Sequence, residues 1–392
     1  MNGQSVVIIG AGQGGLQAAV SLRQNGYQGA VTLVGGEPGL PYQRPPLSKA
    51  YLLDGRAEAL VLRPESFFAS KQVTYLPGTW AERIDRAARR VRVRGPEGEQ
   101  DLPYDDLILA TGTRNLRPPI DGLERAHDLR TLADAAALSA ALARPRQIAV
   151  IGGGFIGLEF AAVARKLGHA VSVIEAAPRL MSRAVSAAMS RHFEAYHRSL
   201  GVALHLGVPA VHVGAQAVGL ADGREVAAEF VLLAAGVRPN VELAEAAGLA
   251  TGNGVIVDAA LRCSDPAISA LGDCASFPDP RSGRLLRLES VQAATDHARL
   301  IAARIALGAG ADYAALPWFW SDQGDQKLQI AGYAGPEAEE ETVAEGIVAR
   351  FDSHGLAAVE TVNTARIHMK ARRLLASGAS VDLADLGEVI AA

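Results

Sequence analysis

The chain has 392 residues, 49% hydrophobic and 20% charged, enough to bury extensive cores, and two or three domains are expected. A net charge of −4 and a pI near 6.2 supply no general attraction to nucleic acid. No apolar run approaches the ~20 residues of a membrane helix, and the N-terminus enters the first apolar run without a charged leader, so a cytoplasmic protein is expected.

The first element is a buried strand over 6–9, followed by Gly10-Ala11-Gly12-Gln13-Gly14-Gly15 and an amphipathic helix over 16–23 that stops at Asn25-Gly26. Strand, glycine turn and helix in that order form a dinucleotide-binding pattern. Gly10 allows the tight turn, Gly12 lets backbone N–H groups approach a pyrophosphate, and Gly15 lets the helix pack closely on the sheet. A second strand over 30–34 leads into Gly35-Gly36-Glu37. An acid is expected at the strand end to hold a ribose, but Gly36 occupies that place, which leaves Glu37 as the substitute candidate.

A strand over 107–109 ends at Ala110-Thr111-Gly112, and the same pattern then restarts. A strand over 148–151 precedes Gly152-Gly153-Gly154-Phe155-Ile156-Gly157, a helix runs over 157–166, and a strand over 171–174 ends in Glu175. Glu175 falls 18 residues beyond Gly157, where an acid accepts hydrogen bonds from ribose hydroxyls and repels a 2′-phosphate, so NADH is expected over NADPH. Arg183, read as a helix residue, is a candidate for the adenylate phosphate, with a solvated role as the alternative. Segment 230–236 repeats segment 107–112 and ends in Gly236. Two turns of one kind in one chain predict two bound dinucleotides.

A strand over 268–273 then places Gly272 and Asp273 at its end, where the carboxylate can accept hydrogen bonds from a ribityl chain or merely cap a turn. Cys263 and Cys274 are the only cysteines and form no C-x-x-C pair, so a dithiol relay is not expected and Cys274 reads as a small buried residue. Trp318 and Trp320 are expected on opposite sides of one strand, with Trp318 packed in a core. Strands over 348–351 and 357–362 pair across Asp352-Ser353-His354-Gly355, and a helix over 365–377 follows.

Several longer motifs carry a resemblance across almost the whole chain. They are Pro41-Tyr42-Gln43-Arg44-Pro45-Pro46-Leu47-Ser48-Lys49, Leu129-Arg130-Thr131-Leu132, the second glycine turn through Glu159, Gly272-Asp273-Cys274-Ala275, Glu289-Ser290-Val291, and Pro317-Trp318-Phe319-Trp320-Ser321-Asp322-Gln323. With them the chain resembles the FAD-dependent, NADH-linked ferredoxin reductases that supply cytochrome P450 and Rieske oxygenase systems, with rubredoxin reductases and apoptosis-inducing factor as more distant relatives.

The resemblance implies an α/β, glutathione-reductase-like fold of two Rossmann-like domains: a discontinuous FAD domain (1–112 and 242–318), an NAD domain (113–241), and a small C-terminal α/β domain (319–392). It implies FAD contacts at Gly14, Gly36, Arg44, Lys49, Ala81, Arg130, Asp273 and Val291, with Trp320 at the flavin edge, and Lys49 paired with Glu159 near the reacting ring across the two nucleotide domains. It further implies NAD contacts along the second turn, Ile156 included, and a monomer that meets an acidic 2Fe-2S ferredoxin transiently. Arg299, Lys370, Arg372 and Arg373 are candidates for that basic surface, a solvated charge run being the alternative. A flavin-linked NADH oxidase would carry a cysteine where this chain has Pro45-Pro46-Leu47-Ser48-Lys49, and a redox-sensing protein like apoptosis-inducing factor is the remaining alternative.

Overall fold

The computed structural model describes residues 4–377. The chain divides into two compact units. The first comprises the chain up to Gln43 with Glu58–Arg114 and Arg238–Ala315; the second comprises Arg44–Ala57, Asn115–Val237 and the chain from Leu316.

The first unit is built on a five-stranded parallel sheet in the order Ile268–Ala270, Asp106–Leu109, Ser5–Ile9, Ala30–Val34, Val73–Leu76. The strands Ser5–Ile9, Asp106–Leu109 and Ile268–Ala270 are buried on both faces, which explains why they read as continuous apolar runs rather than alternating ones, whereas only Val73 is buried in the edge strand Val73–Leu76. An antiparallel three-stranded meander, Trp80–Asp85, Arg90–Gly95 and Gly98–Pro103, is inserted before Asp106–Leu109. The helices Gln13–Gln24 and Val291–Leu307 pack together beside the sheet.

The second unit repeats the plan. Its parallel sheet runs Ala203–Leu206, Ala170–Glu175, Gln147–Ile151, Phe230–Leu233, and the antiparallel strands Ala210–Val213, Ala217–Leu220 and Glu225–Ala227 again precede the last parallel strand. In both sheets the first strand in sequence lies in the interior where strand order reverses, the switch point at which open α/β sheets characteristically bind ligands.

The rest of the second unit is a five-stranded antiparallel sheet ordered Trp318–Gln323, Gln326–Gly332, Gly355–Val362, Ile347–Asp352, Glu339–Ala344, against which the helix Ala365–Ala376 packs. Asp352 pairs with Gly355 to close the expected hairpin. Leu158, Phe193, Leu328 and Val348 share one apolar core, so this sheet and the second parallel sheet are sealed by the same buried surface. The join is also polar. Glu360, fully buried, accepts from the Ser186 backbone N–H at 2.9 Å and hydroxyl at 2.6 Å, while Glu340 accepts from the N–H groups of Ala187 and Ala188, so two carboxylates meet the open N-terminus of the helix Ala187–Ser199.

Segment Arg44–Ala57, which the sequence reading kept with the first domain, falls in the second unit because Pro45–Ser48 packs on the helix Phe155–Lys166 and Ala50–Asp54 on Leu132–Ala141. Among the described residues, no helix is long and apolar enough to cross a membrane.

Candidate functional site: two glycine turns and a buried ion pair

The two glycine turns have the same internal geometry. Gly10 and Gly152 have φ of +110° and +114°, and a Cβ at either would lie 2.1–2.2 Å from the carbonyl oxygen of Ala110 or Ala234, so only glycine fits. At Gly15 and Gly157 a Cβ would strike the carbonyls of Gly10 and Gly152 at 1.8 and 2.2 Å, which is the close helix approach expected. Gly12 and Gly154 differ in kind. Their φ values, −75° and −84°, suit any residue, and a Cβ there would meet nothing within 4 Å. Each opens a helix with no side-chain cap, so the first-turn N–H groups face an open cradle that a side chain would fill. That donor set fits a pyrophosphate in each turn.

In the first unit, Gly14 packs its Cα against Leu271 and Ala294 of the neighbouring segment. Gly36 is governed by Trp80: a Cβ at Gly36 would lie 2.8 Å from two indole carbons. Glu37 accepts a hydrogen bond from the Tyr42 hydroxyl. Ala81, half-buried, follows Trp80 in the first meander strand. Asp273 sits in a single 3-10 turn, Gly272–Cys274, after the strand ends at Ala270, and its carboxylate accepts from the Thr113 hydroxyl at 3.3 Å. The turn is held by His297, whose Nδ1 accepts from the Gly272 N–H at 3.2 Å. His297 is fully buried, edge-on to Phe277 and Tyr313, and burial lowers its pKa to about 3, so it stays neutral. Val291 begins the helix Val291–Leu307, whose cap is the Ser290 hydroxyl accepting from Ala293 N–H. Arg299 lies on that helix and pairs with Asp296 at 3.3 Å.

In the second unit, Lys49 Nζ lies 3.0 Å from Glu159 Oε1 and 3.8 Å from Asp322 Oδ2. Lys49 stands between the 3-10 turn Pro45–Ser48 and the helix Ala50–Asp54, and Glu159 projects from Phe155–Lys166. The Ser48 hydroxyl donates to Glu159 Oε2 at 2.6 Å and the Ser321 hydroxyl to Oε1 at 2.7 Å. Burial pushes the Glu159 carboxyl upward, and Lys49 foremost, then the two hydroxyls, pull it back. Both partners belong to the second unit, rather than one to each nucleotide domain. Neither serine was singled out from the sequence, although each adjoins a residue that was.

Arg44 donates to the Arg130 carbonyl at 2.5 Å, and Arg130 precedes a helix capped reciprocally by Thr131 and Asp134. Glu175 Oε2 accepts from the Gly153 N–H and Oε1 from the Ala177 N–H, each at 2.7 Å, which fixes the carboxylate beside the second turn. Ile156 is exposed on the first turn of its helix. Arg183 is not a helix residue: it lies in the turn before Ala187–Ser199, because Ser186 is the cap that starts that helix. Its guanidinium approaches Gly236, whose φ is +106°.

The two indoles also require correction. Trp318 and Trp320 are two residues apart on one strand, so they share a face, and their rings stack at 5.6 Å. The intervening Phe319 meets Phe155 at 4.6 Å, and the next residues of its parity, Ser321 and Gln323, reach Glu159 and His197. Arg372, on the helix Ala365–Ala376 with Lys370 and Arg373, lies over the Trp318 ring at 4.5 Å.

Both thiols are buried, and burial raises Cys263 to about 12 and Cys274 upward as well, so neither is poised as a thiolate.

Residues 4–298 match the family described as pyridine nucleotide-disulphide oxidoreductase, and residues 318–390 match the reductase C-terminal family. The chain is 46% identical over 391 residues to rhodocoxin reductase of Rhodococcus erythropolis, covering 95% of this chain and 90% of that one. It is 41% identical over 404 residues to the anthranilate 1,2-dioxygenase system ferredoxin–NAD(+) reductase component of Burkholderia cepacia, covering 99% and 98%. The crystal structure of the covalent putidaredoxin reductase–putidaredoxin complex superimposes with a TM-score of 0.92 at 34% identity, covering 99% of this chain and 98% of that one. The chain therefore belongs to the pyridine nucleotide-disulphide oxidoreductases and, within them, to the ferredoxin reductases that serve oxygenase systems.

Proposed function

We infer that the protein takes electrons from NADH and delivers them singly to a 2Fe-2S ferredoxin that feeds a cytochrome P450 or Rieske oxygenase. The observation that carries this reading is the pair of like-built glycine turns, each with an open middle glycine, in a chain whose two cysteines are both buried. Family membership implies FAD and a nicotinamide dinucleotide. We assign FAD to the first turn and NADH to the second, since Glu175 stands ready to accept from ribose hydroxyls and would repel a 2′-phosphate.

FAD supplies an acceptor for hydride and a source of single electrons, so the protein's task is binding, orientation and electrostatics. Gly10, Gly12 and Gly15 shape the first phosphate cradle, and Asp273, braced by His297, offers a carboxylate to the ribityl hydroxyls. Arg44 and Arg130 are further FAD-binding candidates. Gly152, Gly154 and Gly157 shape the second cradle, with Ile156, Arg183 and Gly236 at its rim. Lys49 supplies a positive charge for the reacting ring while Glu159 holds Lys49 and offers an acceptor to the nicotinamide carboxamide. Trp320 is proposed for the ring edge. Arg299, Lys370, Arg372 and Arg373 are proposed to meet acidic groups of the ferredoxin.

NADH-dependent cytochrome c reduction with a panel of 2Fe-2S ferredoxins tests the reading. A rate that rises with one ferredoxin is expected; fast NADH consumption by oxygen, unaffected by any ferredoxin, points instead to an oxidase.

A further inference from the structure

The acid expected at the end of the second parallel strand is missing, and the structure shows what stands in its place. Ala30–Val34 ends two residues before Gly36, the position from which a carboxylate would reach an adenosine ribose. No left-handed backbone explains the glycine. The constraint is Trp80, whose indole carbons Cε2 and Cζ2 lie 2.8 Å from where a Gly36 Cβ would sit, so an aspartate there would have to displace the ring.

That placement is fixed by the backbone. Gly78 N–H donates to the Glu37 carbonyl at 3.0 Å and Thr79 N–H to the Gly35 carbonyl at 2.8 Å, which clamps the start of the meander over the strand end. Below it, Tyr75 stacks on Phe68 and donates to the Gly39 carbonyl, and both Ala11 and Tyr75 crowd the Gly35 Cα. Trp80 nevertheless leaves 66% of its surface exposed. A large aromatic held rigidly against a glycine, with its other face in solvent, is a stacking platform rather than a core residue.

We propose that Trp80, seated on Gly36, holds the adenosine of FAD by face contact with its ribose or adenine, replacing the ribose-binding acid. The proposal rests on FAD occupying the first glycine turn. Glu37, which accepts from Tyr42, is then a loop-bracing residue and not the ribose acid.

The test is calorimetric and fluorimetric titration of flavin-free protein with FAD and with ADP. Trp80→Ala is expected to weaken both by roughly tenfold, the scale of one base–aromatic stack, and Trp80→Phe to weaken them less. Glu37→Gln should stay within about twofold of wild type. Gly36→Asp alone should weaken FAD, whereas Gly36→Asp with Trp80→Ala should regain most of the affinity by restoring a carboxylate where the ring had been. Because Trp80 is largely exposed, the melting temperature of the flavin-free variants should match wild type, which separates lost binding from lost fold. Unchanged FAD and ADP affinity in Trp80→Ala, or a loss in Glu37→Gln instead, overturns the proposal. Failure of the wild-type protein to bind FAD at all would overturn the functional reading itself.

Discussion

Lys49 Nζ stands 3.0 Å from Glu159 Oε1, with 18% of the lysine side chain and 6% of the glutamate side chain exposed. The carboxylate takes donors on both oxygens, from Lys49, Ser48 and Ser321, so its charge is matched locally although it has almost no water. Replacing Lys49 with Met leaves that carboxylate buried beside two hydroxyls only, and its pKa is expected to climb further. The variant should be destabilised, by less than the ~3–5 kcal/mol typical of a broken buried pair, because the lysine is partly solvated. Glu159→Gln keeps the volume but replaces one acceptor oxygen with a donor NH2, so one serine must turn to accept and Lys49 loses its charge partner; its melting temperature should fall modestly while flavin reduction by NADH slows at least tenfold in stopped flow. Equal reduction rates in wild type and Glu159→Gln would remove the carboxylate from the nicotinamide site.

Nucleotide choice should follow Glu175. Wild type is expected to show higher kcat/KM with NADH than with NADPH, and Glu175→Ala to narrow the ratio by about tenfold. The same variant also frees the Gly153 and Ala177 N–H groups, so some loss with NADH accompanies the change. A wild-type preference for NADPH would contradict the assignment.

Acid should loosen the first site through His297. Its folded-state pKa, about 3, lies below the ordinary value of 6.5, so the unfolded chain binds the extra proton first. The stability this histidine contributes is therefore complete above pH 6.5 and drains away as pH falls from 6.5 toward 3. Protonation would also end its acceptance from Gly272 N–H, which positions the turn bearing Asp273. Flavin fluorescence released on acidification should rise within that window, and His297→Gln, which carries no group titrating there, should flatten that dependence.

Charge reversal at Arg372 should raise the apparent KM for ferredoxin severalfold and flatten its dependence on ionic strength, leaving ferricyanide reduction intact. Arg372 also stacks on Trp318, so Arg372→Gln serves as the control that loses the stack without reversing charge. No shift in KM in Arg372→Glu would take this residue out of the docking surface.

Glu360→Ala should be the most destabilising of these changes. It removes the acceptor for Ser186 and leaves Arg350, 5% exposed, without its carboxylate at 3.5 Å. A loss of about 3–5 kcal/mol is expected from thermal or urea unfolding.

Much of this was readable in the chain because the informative features are local. The strand Ala30–Val34 has the bounds its apolar run predicts, and each glycine turn lies between a strand and a helix as its spacing requires. Glu175 was legible for the same reason. Local reading failed where the decisive partner is distant. Nothing near Gly36 announces Trp80, and nothing near Asp273 announces His297, since both relationships arise from strands and helices that meet only on folding. Lys49 and Glu159 are 110 residues apart, and it was the family motifs that suggested the pair; the two serines completing it needed coordinates. The indoles of Trp318 and Trp320 are a different matter, because a period of two already places them on one face. Arg183 stands outside the helix because Ser186, three residues later, is the cap that starts it.

The carboxylates of Glu340 and Glu360 that close the helix Ala187–Ser199 have a practical corollary for anyone grafting parts between reductases. The last sheet is not a detachable cassette: cutting near residue 316 would strip the acceptors from that helix and lay bare Leu158 and Phe193 in one stroke. Chimaeras should exchange the sheet together with the second glycine-turn segment, as a single inherited block.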